Sequence, residues 1–490
     1  MASRLAVVRS GTLCPAPRET VFCKTLVVGN TVAAYTATLA ILQAGGQVCW
    51  AQTGSLNIAA ALNQPTSAHL ATRFSWRLGR RVSPWATATV MSQSQQSYWK
   101  NRQLATPASL PRQKSPDTTV PPAAAPASAS KETQLRQAIA PYLKSQQLIL
   151  IPQGEPVQVL YSTQRGQRRV HQVVFRDVST GQRFQIHARL TLDATGNAAL
   201  QQQLDESSES AAVTELTLTA DHLAGERRGA ARGTFFSDTI ALVMAPSNPP
   251  SQGVRPFSIP LRALQPTQTT GLLRVSLPGC TSALRSIFEQ PRAQWALGEA
   301  VGHIAAQAVL AGGLSALMAP PHAAWQLQQR LVQQGIPIFA FDDVALDDPD
   351  FEAIQMVAIA NVVCTMRHRD LSFRPATPIT KAVLASALAR LPRPRAFPAT
   401  EAKSPYADVT ANHWAATAIQ QTTAGQAMSG ETTTNFAPSK VVSKRQLWQV
   451  LQPFSSGYTV TPPFVLDDEP ARRRHLSRSL YPIVRSRLGP

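Results

Sequence analysis

A short apolar run at residues 25–28 stops at Gly29, after which Ala33, Ala34, Ala37, Leu39, Ala40, Ile41 and Ala44 recur at helical spacing up to the pair Gly45-Gly46. A second apolar run starts at residues 48–50, so the stretch predicts strand, tight turn, helix, strand. From 104 to 130 six prolines stand among Ala, Ser and Thr, a composition that sustains neither a helix nor a central strand and reads as a flexible insertion. Helical spacing returns through Leu135, Ile139 and Leu143, followed by an apolar strand at 148–151. Alternating positions at 157–161, 170–175 and 184–192, separated by the turn pairs Arg165-Gly166 and Thr180-Gly181, predict a β-meander whose last strand runs into Asp193-Ala194-Thr195-Gly196. No element is assigned between 205 and 250, and a helix is expected over 295–311 with Gly298 and Gly302 one turn apart.

The pattern changes in the last third, where one set of motifs occurs twice. Phe341-Asp342-Asp343-Val344 is answered by Tyr406-Ala407-Asp408-Val409, Ala353-Ile354 by Ala418-Ile419, and Phe373-Arg374-Pro375 by Phe436-Ala437-Pro438. Ile379-Thr380-Lys381 and Val442-Ser443-Lys444 follow, with Leu384 and Leu388 matching Leu447 and Leu451. The D-V segments lie 65 residues apart and the F-x-P segments 63, so the match survives one small length change. Two copies of one helical unit are expected, at 335–391 and 402–452.

Length and composition narrow the classes. A chain of 490 residues exceeds one ordinary domain, and 44% hydrophobic against 15% charged residues suits a packed core. The 47 basic against 28 acidic residues leave a net charge of +19, which alone would suit a nucleic acid or an acidic surface. The arginines are scattered, however, and their tightest cluster (Arg472, Arg473, Arg474, Arg478, Arg485, Arg487) falls in a C-terminal segment, 453–490, that reads as a solvated basic tail. No aromatic-and-basic recognition motif accompanies the charge, so nucleic acid is not the expected partner. The five cysteines, Cys14, Cys23, Cys49, Cys280 and Cys364, contain no C-x-x-C pair and read as reduced thiols, with neither a disulfide framework nor a zinc site. No signal-peptide core and no apolar stretch of roughly 20 residues is visible, so a soluble, cytoplasmic protein is expected, with envelope association as an alternative.

The first strand-turn-helix carries the candidate chemistry. A βαβ unit holds a pyrophosphate by aiming backbone N–H groups and a helix N-terminus at it, and glycines permit the close approach. The expected G-x-G-x-x-G reads Gly29-Asn30-Thr31-Val32-Ala33-Ala34, keeping the first glycine, placing a branched Thr31 at the second and Ala34 at the third. The second strand ends in neutral Gln52 where an acid would accept both ribose hydroxyls. These residues, with Asp193-Ala194-Thr195-Gly196 and Gly298-Glu299-Ala300-Val301-Gly302, resemble the FAD-dependent oxidoreductases of the glutathione-reductase-like fold. Pro256-Phe257-Ser258-Ile259-Pro260-Leu261 resembles that family's P-x-x-I-P segment, and the resemblance spans about residues 22–315. It implies FAD as cofactor and implies cofactor contacts from Gly29, Asn30, Thr31, Ala34, Gln52, Asp193, Gly196, Gly298, Glu299 and Gly302, with the G-E-A-x-G helix pointing its N-terminus at the flavin ring and ribityl chain. Two departures fall where flavin would sit: Gly54-Ser55-Leu56-Asn57-Ile58 replaces a glycine pair, and Leu272-Leu273-Arg274-Val275-Ser276-Leu277 lacks the glycine of the usual L-L-x-A-G-R. Catalytic residues are not assigned, and His303 reads as a packed helix histidine.

The tandem unit resembles S-layer homology domains, most clearly in its second copy with His413-Trp414-Ala415. The resemblance implies binding of cell-envelope polysaccharide, generally by sets of three, against two copies here. Asp342, Asp343, Asp347, Asp348 and Asp350 lack the glycine and terminal glutamate of a calcium loop and read as a solvated acidic loop, and Cys364 with His368 is too small a set for a metal site. The expectation is an α/β protein: an FAD/NAD(P)-binding Rossmann-like, three-layer domain with a β-meander at 22–103 and 132–315, interrupted at 104–131, then an all-α tandem repeat at 335–452 and the tail. Its expected activity is flavin-linked oxidation or reduction of an unidentified small molecule, with a cofactor-free scaffold or an envelope-binding protein as alternatives.

Overall fold

The computed structural model describes residues 20–54, 92–95, 127–164, 166–206, 214–224, 232–246, 254–363, 371–392, 406–455 and 461–489. The chain forms two compact units, Met1–Arg228 with Arg232–Pro320, and Pro321–Pro490 with Gly229–Ala231. Most of the expected insertion, 104–126, and the segment after Gly54 lie outside the described residues.

The first unit is an α/β, Rossmann-like fold of three layers. Strands β1 (Thr20–Val28), β2 (Val48–Ala51) and β3 (Leu148–Ile151) pair in parallel, and helix α1 (Val32–Gln43) joins the first two. Helix α2 (Ala127–Lys144) leads into β3, so it begins inside the segment expected to be irregular. The meander strands β4 (Gly154–Gln164), β5 (Gln167–Asp177) and β6 (Arg183–Asp193) are antiparallel, at the turns expected.

Strand β6 belongs to both sheets. Its first half alternates buried and less buried positions and pairs with β5, whereas its last four residues are all buried between β1 and β10 (Leu272–Arg274), parallel to both. That switch from alternating to continuous burial follows from one face of a meander giving way to a sheet covered on both sides. One core lies between the layers: Leu26, Val28, Cys49 and Ala51 of the parallel strands meet Val159, Val173, Phe175, Phe184 and Ile186 of the meander, with Leu200 and Leu204 of α3 (Ala199–Glu206). The hairpin of β7 (Thr239–Pro246) and β8 (Val254–Pro260) occupies part of the region left unassigned, and a two-residue strand β9 (Thr269–Thr270) edges β5.

Helix α4 (Pro291–Ala311) packs along α1. It starts earlier than expected because Pro291, at the first helical position, costs no backbone hydrogen bond there.

The second unit is helical: α5 (Ala323–Gln333), α6 (Phe351–Ile359), α7 (Lys381–Ala389), α8 (Ala416–Ala424), α9 (Lys444–Leu451) and α10 (Arg473–Leu488). The repeated motifs do the same work in both copies. Asp343 accepts from the backbone N–H of Phe373 and Arg374 at 2.7 and 2.6 Å, and Asp408 from Phe436 and Ala437 at 2.9 and 2.7 Å. Arg374 and Ala437 are both left-handed, at φ 60 and 57°.

The segment read as a solvated tail is a packed helix and a third partial copy. Ala471, Leu476 and Leu480 repeat the offsets of Ile379, Leu384 and Leu388, and all six are buried. The Ile379 N–H donates to Ala471, Ala471 to Val442 and Val442 to Ile379, at 2.9, 2.8 and 3.0 Å, closing a ring with pseudo-threefold symmetry. Arg473 lies over the Phe373 ring as Lys381 lies over Phe436, each at 4.6 Å from the centroid. The acidic loop is likewise not solvated: Asp350 is buried and pairs with Arg478 at 2.5 Å, while Arg474 reaches Asp348 at 3.3 Å.

Candidate cofactor site

The carboxyl ends of β1, β2 and β6 meet at the start of α1. Gly29 turns the chain there at φ 130°, donates to Ala51 at 2.9 Å, and its carbonyl accepts the Trp50 indole N–H at 2.8 Å. A Cβ at Gly29 would stand 2.2 Å from the Ala194 carbonyl oxygen, so the D-A-T-G segment crosses directly over this turn and glycine is required for it.

Thr31 caps α1. Its Oγ1 accepts from the Ala34 N–H at 3.2 Å and donates to the Ala194 carbonyl at 2.8 Å. The branched side chain is therefore drawn toward β6, while the N–H groups of Val32 and Ala33 begin the helix. Gly54 and Gly196 face the same turn: an added Cβ would lie 3.4 Å from Asn30 Nδ2 at the first and 4.0 Å from Thr31 Cγ2 at the second. Gly29, Asn30, Thr31, Ala34, Gly54 and Gly196 thus come together around a helix N-terminus, with space before it that side chains at 54 and 196 would fill. Buried Gln52 lies two residues before Gly54, its backbone tied to Ile151 and Gly154 at 2.9 Å each.

The other expected contacts are spent on the fold. Asp193 is buried, and its carboxylate accepts from Thr195 N and Oγ1 at 3.1 and 2.5 Å and from Leu200 N and Gln201 N at 3.0 and 3.3 Å. Burial pushes its carboxyl above the usual range, while the Thr195 and Gln201 bonds and the Arg274 charge pull it back. Gly298 and Gly302 face α1, where a Cβ at Gly298 would stand 2.4 Å from the Ala33 oxygen and one at Gly302 2.5 Å from the Ala37 oxygen. Helix packing accounts for both glycines. Because α4 begins at Pro291, the G-E-A-x-G segment sits two turns inside the helix, so the expectation that it forms the N-terminus is corrected.

Glu299 is held by a segment 205 residues away in sequence: Ser92 Oγ donates to one carboxylate oxygen and Ser94 Oγ to the other at 2.6 Å. The Trp295 indole N–H donates to Ser94 at 3.2 Å, and the Gln95 amide donates to the Arg292 carbonyl at 3.1 Å. Burial raises the Glu299 carboxyl above its ordinary value, opposed by the Ser92 and Ser94 bonds, and burial lowers His303, one turn on. Sequence reasoning missed Ser92 and Ser94, since nothing local marks a hydroxyl as the partner of a distant acid. It also treated Ser276 as a defect, whereas its hydroxyl donates to the Thr195 carbonyl at 2.8 Å and braces the D-A-T-G turn.

The arrangement suits an anion at the start of α1, where two first-turn amides and the helix dipole converge. The diphosphate end of a dinucleotide fits the open space before Gly54 and Gly196. The flavin-ring end does not match expectation, because Glu299 already has both oxygens bonded and the N-terminus of α4 lies elsewhere. No helix among the described residues is long and apolar enough to cross a membrane.

No family model matches the chain, and no curated protein matches it. Among solved structures, the chain is similar to Thermovibrio ammonificans THI4 at 12% identity, covering 59% of this chain and 89% of that one, with a TM-score of 0.30. It is similar to a variant of the E. coli quinol fumarate reductase subunit FrdA at 10% identity over 70% and 82%, TM-score 0.31. A myxobacterial chondrochloren halogenase, CndH, described as a variant of FAD-dependent halogenases, matches at 13% over 64% and 80%, TM-score 0.26. Scores this low add nothing to the strand order, which by itself establishes the fold.

Proposed function

We propose that the first unit binds FAD through the turn at Gly29 and serves flavin-linked oxidation or reduction of a small molecule. The observation that carries the reading is the cradle in which Gly54 and Gly196 keep open the space before the Thr31-capped N-terminus of α1. The amides of Val32 and Ala33 would take the diphosphate, and Gln52 would offer one neutral contact to a ribose. FAD, when bound, supplies the hydride and electron chemistry. The chain's own part is to bind and orient, because Asp193 and Glu299, the acids expected at the site, are both engaged by neighbours.

The test is the visible absorption spectrum of the purified full chain before and after adding FAD, repeated for Gly196→Leu. A Gly29 substitution would strike the Ala194 backbone and unfold the turn, whereas Gly196 faces open space, so its variant folds and loses the cofactor. A folded wild-type protein that takes up no FAD overturns the reading, and leaves a cofactor-free scaffold.

A second reading concerns the second unit. The ring through Ile379, Val442 and Ala471 supplies the third member of a set whose resemblance is to S-layer homology modules, which favours attachment to envelope polysaccharide. Trp414, 65% exposed, offers an aromatic face of the kind on which sugar rings stack. The full chain should sediment with purified envelope material and Trp414→Ala should not; wild-type protein that stays in the supernatant at low salt removes the reading.

A further inference from the structure

Beyond β6 on the side away from α1, a cavity of about 410 Å³ opens at the carboxyl end of β10. Its walls include the guanidinium groups of Arg274 and Arg285, the amides of Asn197 and Gln201, the Thr217 hydroxyl and the Cys280 thiol, and no carboxylate lines it. The volume lies within the range of small-molecule sites, and the edge is where α/β sheets receive ligands.

Its charge is not cancelled from nearby. Glu289 stands 3.8 Å from Arg285 in a pair whose members are 49% and 61% exposed, an arrangement of little energetic weight. The Asp193 carboxylate is occupied by its own loop. Burial pushes the Cys280 thiol up, and the charges of Arg274 and Arg285 pull it back, so both act on the space that the sulfur faces. Ala198, also in the wall, is held in the left-handed region at φ 58°, a conformation that costs a non-glycine residue about 1 kcal/mol and concentrates at binding sites.

We propose that this cavity binds a small hydroxylated anion, with Arg274 and Arg285 taking the negative group, Asn197, Gln201 and Thr217 taking hydroxyls, and Cys280 beside the bound molecule. The site is separate from the turn at Gly29 and does not depend on flavin. Carboxylate and phosphate share the chemistry that two guanidinium groups recognise.

The test alkylates Cys280 in the full chain and reads it by peptide mass spectrometry. Anionic iodoacetate and neutral iodoacetamide are compared, because their rate ratio cancels the thiolate fraction. The wild-type ratio should exceed that of Arg285→Gln by about fivefold, the effect of one unit charge at contact in a water-like dielectric, while Arg285→Lys should keep it. Citrate or inorganic phosphate should slow iodoacetamide modification of the wild type more than sodium chloride of equal ionic strength. Stronger protection by citrate identifies a carboxylate as the ligand, and stronger protection by phosphate a phosphate. A wild-type ratio equal to that of Arg285→Gln, or protection no better than sodium chloride, overturns the proposal. If Arg285→Gln fails to fold, the citrate and phosphate comparison on wild-type protein decides alone.

Discussion

The seam between α1 and α4 makes a sharp prediction at Gly298. An exposed helix glycine changed to alanine gains about 1 kcal/mol from helix propensity. Here the added Cβ would lie 2.1 Å from Thr36 Oγ1, 2.4 Å from the Ala33 carbonyl oxygen and 2.8 Å from the Ala33 Cα, against the 3.4 Å at which ordinary contact begins. The Thr36 hydroxyl can rotate, but the Ala33 backbone cannot, so the helices must separate by about 1 Å in a close-packed interior. Overpacking of this kind costs about 1–3 kcal/mol, and here it meets backbone rather than a pliable side chain, so the upper half of that range applies. Set against the propensity gain, Gly298→Ala should destabilise the first unit by about 1–2 kcal/mol. Adding Gly302→Ala should cost less than the sum, since an opened seam accommodates the second methyl. Urea unfolding gives the total, and hydrogen exchange of the α1 amides localises it, with faster exchange expected from Ala37 to Ile41. Adding Thr36→Ala should rescue Gly298→Ala only in part, because the contact with the Ala33 oxygen remains. A Gly298→Ala protein that is stabilised, with α1 exchange unchanged, would refute the packing argument and return both glycines to the candidate cofactor contacts.

Other perturbations separate the remaining arguments. Leu476→Ala removes a fully buried side chain from α10 and should cost about 2–5 kcal/mol in urea unfolding, whereas a solvated tail would show no change. Asp408→Ala leaves the Phe436 and Ala437 amides without their acceptor and should cost about 2–3 kcal/mol, with Asp343→Ala similar because the geometry repeats; a large difference between them would break the equivalence of the copies. For Glu299 the native carboxyl sits above its unfolded value of about 4.3, so the native state binds the proton more tightly; its contribution is full below that pH and is lost as pH rises through the native value. Glu299→Gln should therefore flatten the fall of the urea midpoint between about pH 4 and 7, and an unchanged slope would show that the carboxyl is not raised.

Much of the architecture is legible along the chain because it is written in short-range periodicity. The period-2 alternation of the meander, the helical spacing of α1 and the paired motifs at 341–344 and 406–409 each involve neighbours within a few turns, and burial of one face is enough to impose them. Gly29 is legible for the same reason, since a strand entering a helix within three residues needs a turn that glycine permits. The third copy was hidden because it keeps Ala471, Leu476 and Leu480 but lacks the F-x-P; the repeated leucine offsets were the available signal. Pro291 likewise marked the start of α4 in plain view.

What the tertiary structure decided is which groups each site residue faces. Glycine at 298 is equally compatible with a flavin and with a crossing helix, and the approach of Ala33 selects the helix. An acid at 299 is equally compatible with a ribityl hydroxyl and with serine hydroxyls, and the return of Ser92 and Ser94 selects the serines. Thr31 looks like an obstruction until the Ala194 carbonyl draws its hydroxyl aside. In each case a side chain's chemistry admits several partners of similar energy, and the partner is set by chain segments brought together from up to 205 residues apart, a distance over which hydrophobic periodicity carries no information.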